Sequence, residues 1–286
     1  MSIYRKSEIP SHLLEFFEPA EIGLESTPAE YVANMVEVFR LVWELLADDG
    51  TVWLNLGDSY AANRAYQVPS TKGGPKHSDS QAAGGHGSVV PNGLKPKDLI
   101  GIPWRVAFAL QEAGWYLRQD IIWSKPNPMP ESVTDRCTKA HEYLFLLSKS
   151  ARYYFDSEAM REDAVKGAAG SSFNKGKTAE HQLGRSSDAE RVEDGKRNRR
   201  SVWTVPTQPY SGAHFATFPP ALIEPCILAG SRPGDVVFDP FGGSGTTAQV
   251  ALQHSRRAVL CELNEDYAPL IRNRIEDASR QERLFA

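Results

Sequence analysis

The residues best suited to chemistry form a glycine-rich turn in the last third of the chain. The segment Asp235-Val-Val-Phe-Asp-Pro-Phe-Gly-Gly-Ser-Gly-Thr-Thr247 is an apolar run that passes directly into glycines and hydroxyl residues. Closely spaced glycines let the backbone adopt positive φ and approach a ligand, and the hydroxyls supply helix caps and donors. The segment therefore predicts a strand, a ligand-binding turn and the start of a helix.

A second acidic residue follows the turn at a distance typical of nucleotide sites. The apolar segment Arg257-Ala-Val-Leu-Cys-Glu262 ends in a carboxylate, roughly twenty residues beyond the glycines, where such folds place the acid that binds the ribose hydroxyls. Strand, turn, helix, strand and carboxylate thus occur in the order of a nucleotide-binding unit.

The charges around this turn indicate which nucleotide it binds. The lysine of a phosphate-binding Walker loop does not follow Gly245, which argues against a triphosphate. Asp239 stands at the strand end, where a carboxylate disfavours a pyrophosphate and suits a ligand with positive charge. S-adenosyl-L-methionine, with its sulfonium and amino groups, fits this requirement better than the alternative, a nicotinamide dinucleotide.

Alternating helices and strands must position these residues. The segment from Thr27 combines a capping residue, Pro28 in the first turn and Glu30 three residues after the cap, followed by apolar residues at helical spacing. The predicted helices are 27–46, 102–113, 219–229, 245–254 and 265–278, and the predicted strands are 51–56, 116–123, 142–147, 235–239 and 257–262. This alternation is typical of an α/β protein.

Two polar stretches interrupt the alternation. Residues 61–98 are rich in glycine and lysine and predict a long loop, for which a functional loop and plain disorder both remain open. Residues 157–200 end in Lys196-Arg-Asn-Arg-Arg200, which is either a solvated charged linker or a local phosphate-binding patch.

Several segments resemble one enzyme family. Phe238-Asp-Pro-Phe-Gly-Gly-Ser-Gly-Thr-Thr247 is similar to the cofactor loop of the DNA methyltransferases that modify an exocyclic amino group, cytosine N4 or adenine N6. The segments Leu54-Asn-Leu-Gly-Asp-Ser-Tyr60, Ile122-Trp-Ser-Lys-Pro-Asn-Pro-Met-Pro-Glu131 and His141-Glu-Tyr-Leu-Phe145 resemble it too. They follow the order of the family's permuted β-type subclass, in which the catalytic half precedes the cofactor half.

The resemblance extends from about residue 22 to residue 275 and implies an architecture. We expect one methyltransferase domain over 1–286, with a Rossmann-like fold in which helices cover both faces of a mostly parallel sheet. Its parts would be a catalytic half at 20–156 that includes the loop 61–98, a polar insertion at 157–200 that is a candidate target-recognition region, and a cofactor half at 201–280.

The resemblance also implies a cofactor, S-adenosyl-L-methionine, and the residues that bind it. The loop with Asp239 would face the methionine part, Glu262 the ribose, and Leu263 or Asn264 the adenine edge. Phe218 would pack against the cofactor, although a plain core position is the alternative. The expected cofactor-binding residues are Phe218, Asp239, Pro240, Phe241, Gly242, Gly243, Ser244, Gly245, Thr246, Glu262, Leu263 and Asn264.

Double-stranded DNA is the partner that the resemblance implies. Lys125 lies where the family approaches DNA, as does Trp123, for which a core position is equally open. The basic residues at the end of the second polar stretch would contact phosphates. The expected DNA-binding residues are Lys125, Lys196, Arg197, Arg199 and Arg200.

The family's catalytic tetrapeptide, Ser/Asp-Pro-Pro-Tyr/Phe, is not found in this sequence. In the family its backbone and side-chain oxygens hold the target amino group while its aromatic ring stacks on the flipped base. Asp58 and Tyr60 offer a carboxylate and an aromatic at a strand end and are the substitute candidates, whereas Asn127-Pro-Met-Pro130 lacks the stacking aromatic. The strand that presents the motif also has no counterpart. An active enzyme therefore remains open, as does a catalytically inactive or truncated family member that binds the cofactor and DNA or a partner without methyl transfer.

The composition excludes several classes of protein. The net charge is −4, so any DNA contact must be local. Three cysteines are too few for a disulfide scaffold or a zinc cluster, and no apolar run near the start is long enough for a signal peptide or a membrane span. These features predict a soluble, cytoplasmic protein without a metal; an oligomer and a methyltransferase of RNA or protein stay open.

Overall fold

The computed structural model describes residues 22–61, 93–163, 195–208 and 217–285. The helices are α1 (Pro28–Leu45), α2 (Ile102–Glu112), α3 (Pro220–Gly230), α4 (Thr246–Gln253) and α5 (Ala268–Phe285), the last preceded by a 3-10 turn (Glu265–Tyr267). The strands are β1 (Thr51–Leu56), β2 (Tyr116–Ser124), β3 (His141–Ser148), β4 (Arg161–Asp163), β5 (Lys196–Asn198), β6 (Val202–Thr204), β7 (Val236–Asp239) and β8 (Arg257–Leu260).

Helix α1 begins where the sequence predicts. The Thr27 hydroxyl accepts a hydrogen bond from Glu30 N at 3.2 Å, and the Glu30 carboxylate accepts one from Thr27 N at 3.1 Å, so that two backbone donors of the first turn are satisfied. Met35, Phe39 and Val42 then form the buried face of the helix. Their spacing places them on one side, against the sheet.

The main sheet has four strands in the order β1-β3-β2-β6. β3 runs antiparallel to both β1 and β2, while β2 and β6 are parallel. β7 and β8 form a separate parallel pair, and β4 and β5 form an antiparallel one. The sheet is therefore mixed rather than mostly parallel, because the segment 125–140 between β2 and β3 contains no crossover helix and the two strands pair antiparallel.

Helices cover both faces of the main sheet, as expected for the fold. On one face α1 and α2 pack on Leu54, Phe145 and Leu147. On the other face α3 packs on Ile121 and Leu144. Alternate residues of β3 thus serve opposite cores, which is the period of a strand buried on both sides.

The β7–β8 pair lies beside β1 and has the same orientation. Arg232, just before β7, forms an ion pair with Asp49, just before β1, at 3.1 Å. Near the other end, Phe238 of β7 packs against the core cluster that contains Leu54 of β1. The carboxyl ends of β1 and β7 therefore lie on the same side of the molecule.

A strand is missing between these two elements in the part of the chain that the structure describes. β1 pairs only with β3, and β7 pairs only with β8. Each strand is left with one edge without a β partner in the described ranges, and the sequence has no counterpart for the strand that carries the family's tetrapeptide.

The predicted helices and strands are confirmed with ends that shift by at most three residues, except that the last helix continues seven residues further, to Phe285. The short strands β4, β5 and β6 have no counterpart in the sequence prediction, because three-residue strands with charged neighbours lack a clear hydrophobic period. Most of the loop 61–98 and residues 164–194 of the polar insertion lie outside the described residues. In the described helices, no stretch is both long and apolar enough to cross a bilayer.

Candidate cofactor-binding site

The parallel pairing of β7 with β8 brings the two predicted carboxylates to one place. Asp239 stands opposite Leu260 at the end of the ladder, and Glu262 follows two residues later. The chain beyond each strand is tied to the other strand, since Cys261 N donates to Asp239 O at 2.9 Å and Gly242 N donates to Cys261 O at 2.7 Å. Both acids therefore lie at the carboxyl edge of the pair, where α/β folds bind ligands.

The Asp239 carboxylate is held by the turn that follows it. One oxygen accepts a hydrogen bond from Phe241 N at 2.9 Å, and the other accepts one from the Thr247 hydroxyl at 2.6 Å. Thr247 lies in the first turn of α4 and is buried. Strand, turn and helix are thus joined through one side chain.

Glu262 joins the same turn from the neighbouring strand. Its carboxylate accepts hydrogen bonds from Gly243 N at 2.7 Å and from Asn264 N at 2.8 Å. Asp239 and Glu262 therefore converge on residues 241–243 instead of pointing apart. A ribose hydroxyl that bound Glu262 would share or replace the contact with Gly243 N.

Two glycines in the turn are required by its geometry. Gly245 has a φ of +83°, and a Cβ there would lie 3.2 Å from the Cα of Ile271 in α5. Gly243 has a φ of +50°, and the nearest neighbouring atom, Phe241 O, lies 3.8 Å from the Cβ position. The turn is closely packed beneath Gly245 and more open at Gly243, which leaves backbone accessible to a ligand at that point.

The electrostatics of Asp239 favour a cationic ligand. Burial raises the pKa of the Asp239 carboxyl above its ordinary value, and the nearby Glu262 charge raises it further, while the hydrogen bonds from Thr247 and from Phe241 N lower it. A positive charge beside Asp239 would offset the cost of its ionised form. The sulfonium and amino groups of S-adenosyl-L-methionine supply such a charge, so the residues present fit this cofactor.

The other predicted cofactor residues surround the turn or lie before α3. Phe241 and Leu263 are large apolar side chains left exposed beside the carboxylates. Ser244 and Thr246 are buried, and Thr246 contacts Arg274 of α5. Pro240 and Gly242 complete the turn, and Asn264 Oδ1 accepts from Asp266 N at 3.0 Å to cap the 3-10 turn. Phe218 is half-buried and packs against the core that contains Trp203, which agrees with the alternative of a core position.

The two substitute catalytic residues are engaged in structural contacts. The Asp58 carboxylate accepts hydrogen bonds from Gly101 N at 2.9 Å and from Ile102 N at 3.0 Å, which satisfies donors at the start of α2. Tyr60 forms a β-bridge with Leu99, and the Arg136 guanidinium lies 4.0 Å from its ring centroid. These contacts explain both residue types without a catalytic role.

The basic residues predicted to bind DNA occupy two places. Lys125 follows β2, where it pairs with Glu142 and lies 4.2 Å from the ring centroid of Trp123. Trp123 itself is buried, with its indole N–H donating to Val205 O at 2.8 Å, so it belongs to the core.

The second place is the end of the polar insertion. Arg197 and Arg200 both bond to Glu162, at 2.9 and 3.0 Å, so that β4 and β5 are tied together through opposite charges. The Arg199 guanidinium lies 4.7 Å from the ring centroid of Trp203, and Lys196 lies at the start of β5. The Arg200 side chain remains 67% exposed and is the more accessible of the two Glu162 partners.

A cleft that no sequence pattern predicts opens at the carboxyl ends of β1 and β2. It has a volume of about 270 Å³ and includes Lys139 and His141, the residues just before and at the start of β3. Burial lowers the pKa of the Lys139 ammonium, and its Nζ donates to Asp58 O. No motif marks Lys139 in the sequence, and only its position after a strand end could have drawn attention to it.

Comparison with known proteins decides the family. The sequence model of the DNA methylase family matches residues 10–273. The chain belongs to the DNA methylase family. This methylase is 48% identical over 257 residues to the type II methyltransferase M.Cfr9I of Citrobacter freundii, covering 90% of this chain and 75% of the relative. It is 46% identical over 264 residues to the type II methyltransferase M.SmaI of Serratia marcescens, covering 92% and 80%.

Solved structures confirm the fold class of the methylase. PvuII DNA methyltransferase, a cytosine-N4-specific enzyme, superposes with a TM-score of 0.58 at 18% identity, covering 92% of this chain and 78% of that one. A Thermus thermophilus protein solved with S-adenosyl-L-methionine has a TM-score of 0.54 at 21% identity, covering 87% and 78%. The fold is the Rossmann-like fold of S-adenosylmethionine-dependent methyltransferases.

Replacing Thr247 by valine tests the electrostatic role of Asp239. The substitution keeps the side-chain shape but removes the hydroxyl that lowers the Asp239 pKa, so this already raised pKa should rise further. Because a cation binds the ionised carboxylate, cofactor affinity should fall as the pH drops through the Asp239 pKa, and in Thr247→Val this fall should occur at a higher pH. Calorimetric titration with S-adenosyl-L-methionine across pH measures the midpoint. The substitution of an exposed threonine in β6, Thr204→Val, is the control, and equal midpoints in both variants would contradict the assignment.

Substitutions of Asp58 test whether its carboxylate caps the start of α2. Asp58→Ala removes the acceptor at the start of α2 and should lower the free energy of unfolding by about 1–2 kcal/mol, the usual cost of a lost helix cap. Asp58→Asn retains one acceptor oxygen and should cost less. Urea denaturation gives these values, with exposed Asp120→Ala as the control. If Asp58→Ala unfolds like the wild type, the capping role is wrong.

Proposed function

We propose that this chain transfers a methyl group from S-adenosyl-L-methionine to an exocyclic amino nitrogen in double-stranded DNA, at cytosine N4 or adenine N6. The observation that carries the proposal is the match to the DNA methylase family across residues 10–273. The convergence of Asp239 and Glu262 on the glycine turn supports it, because the chain retains a site whose charges suit the cofactor.

The chemistry agrees with the cysteines of this chain. Methylation of an amino nitrogen uses the nitrogen lone pair directly and needs no thiolate nucleophile. Burial raises the pKa values of Cys226 and Cys261, which keeps both thiols protonated near neutral pH. When bound, S-adenosyl-L-methionine supplies an electrophilic methyl group. The protein's task is then to hold donor and amino group in line and to accept hydrogen bonds from the amino group.

The division of labour along the chain follows from this proposal. Residues 20–156 would form the half that receives the target base, 157–200 the region that recognises the DNA sequence, and 201–280 the half that binds the cofactor. Phosphate contacts would come from Lys125, Lys196, Arg197, Arg199 and Arg200. Arg200 supports this assignment best, because most of its side chain is exposed while one nitrogen is held by Glu162.

A second candidate function is a protein that binds cofactor and DNA without methyl transfer. Two observations favour it. The sequence contains no Ser/Asp-Pro-Pro-Tyr/Phe tetrapeptide. The described residues also place no strand against the second edge of either β1 or β7, which is where the strand bearing that tetrapeptide is expected.

One assay separates these functions. Purified protein is incubated with bacterial genomic DNA and cofactor carrying a tritiated methyl group, and the DNA is digested to nucleosides for mass spectrometry. We expect N4-methylcytosine or N6-methyladenine, and loss of the product in Gly245→Val, in which a side chain at positive φ meets the Ile271 backbone. Methyl transfer to carbon 5 of cytosine would overturn the proposal. No transfer to DNA, with cofactor and DNA binding retained, would establish the silent alternative.

A further inference from the structure

The segment after β2 presents one large apolar side chain to solvent. Met129 lies between Pro128 and Pro130, and 86% of its surface is exposed, the largest exposed fraction of any large hydrophobic residue in the described ranges. The flanking prolines fix their own φ angles and restrict the residue before each of them. The backbone at Met129 is therefore stiff while its side chain projects from the surface.

Hydrogen bonds anchor this segment on both sides of Met129. On one side, Asn127 exchanges hydrogen bonds with Thr207: Thr207 N donates to Asn127 Oδ1 at 2.9 Å, and Asn127 Nδ2 donates to Thr207 O at 3.1 Å. On the other side, the Glu131 carboxylate accepts from Arg136 at 2.7 Å and from Lys139 N at 3.0 Å. Met129 thus lies in a loop that is hydrogen-bonded on both sides, and its side chain is held in an exposed position.

Met129 forms part of the wall of the 270 Å³ cleft at the carboxyl ends of β1 and β2. The ionisable side chains that line the cleft are Lys125, Lys139, His141, Asp58, Glu131 and Glu142. All three carboxylates already have partners. Asp58 accepts hydrogen bonds at the start of α2, and Glu131 accepts them from Arg136 and Lys139 N. Glu142 forms an ion pair with Lys125. The Lys139 ammonium donates a hydrogen bond to a backbone carbonyl, Asp58 O.

The cleft faces the same side of the molecule as the cofactor turn. β1 and β7 have the same orientation, so Asp58 after β1 and Asp239 at the end of β7 share one edge. A target base that reaches the cofactor must leave the DNA stack. DNA positioned for that reaction would pass over this edge and meet the loop that carries Met129.

We propose that Met129 is an apolar wedge that packs into the DNA base stack where the target base has left it. Proteins that unstack DNA insert methionine, proline, leucine or phenylalanine side chains between bases. The polarisable thioether of methionine suits contact with aromatic faces. Because hydrogen bonds already fix the loop, little conformational entropy is lost when the side chain contacts DNA. This proposal rests on DNA as the substrate, and it makes Met129 a positioning residue rather than a catalytic one.

Binding to a duplex with an abasic site tests the wedge without reference to methyl transfer. A missing base leaves open the space that the wedge would fill, so the wild type should bind the abasic duplex roughly tenfold more tightly than the intact duplex. Met129→Ala should lose this preference and Met129→Leu should keep it. Thermal melting of both variants should match the wild type, because the side chain is exposed. A preference that survives in Met129→Ala, or is absent from the wild type, would overturn the proposal.

Methyl NMR gives an independent reading of the same contact. The chain has four methionines, and Met129 is exposed whereas Met35 and Met160 are buried. With carbon-13 in the methionine methyl groups, the resonance lost in Met129→Leu identifies Met129. Stacking on bases should move it upfield when the abasic duplex is added, while the Met35 and Met160 resonances serve as references. An unmoved Met129 resonance in the bound complex would contradict insertion.

The outcomes separate this inference from the proposed function. A shift of the Met129 methyl resonance and tighter binding to the abasic duplex, without methyl transfer to DNA, would support the wedge and contradict the proposed enzymatic activity. Methyl transfer by the wild type, with the same rate in Met129→Ala and no shift of the methyl resonance, would keep the enzyme and reject the wedge.

Discussion

The parallel ladder between β7 and β8 is the constraint on which the site depends. It sets Asp239 and Glu262 at one edge, two residues apart in register, and the turn between strand and helix is folded around their carboxylates. The burial of Asp239 makes its ionised form costly, and Glu262 adds a like charge nearby. A bound cation opposes both effects, so a sulfonium nucleoside would lower the electrostatic free energy of the ionised site.

The division of the sheet links the fold to the question of catalysis. β1 and β7 share orientation and neighbouring cores, yet neither has a β partner on its second edge in the described ranges. Backbone groups along such edges must find water or another strand. The place that would complete the sheet is also the place from which the family's tetrapeptide would reach the target base. A β partner along these two edges would therefore complete the sheet at the point where the target base is expected to bind.

Local patterns predicted much of the fold and the strand-to-turn geometry of the candidate cofactor site. The Thr27 cap, the apolar spacing of α1 and the strand-to-turn sequence before Gly242 act through neighbouring residues, so the chain itself reveals them. The hairpin of β2 and β3 and the ties from Glu162 to Arg197 and Arg200 depend on residues far apart in sequence. The same is true of the bond from Asp58 to the start of α2 and of the cleft around Lys139. Such pairings carry no local period and could not be predicted from one sequence.

Calorimetric titration of four proteins with S-adenosyl-L-methionine tests the central claim most directly: the wild type, Asp239→Asn, Glu262→Gln and the double variant. If both carboxylates hold one ligand, each single substitution should weaken binding by about tenfold or more, equivalent to about 1.4 kcal/mol. Because both acids contact the same turn, the double variant should lose less than the sum of the two single losses. Wild-type affinity in both single variants, with unchanged thermal unfolding, would show that the cofactor binds elsewhere and would contradict the account.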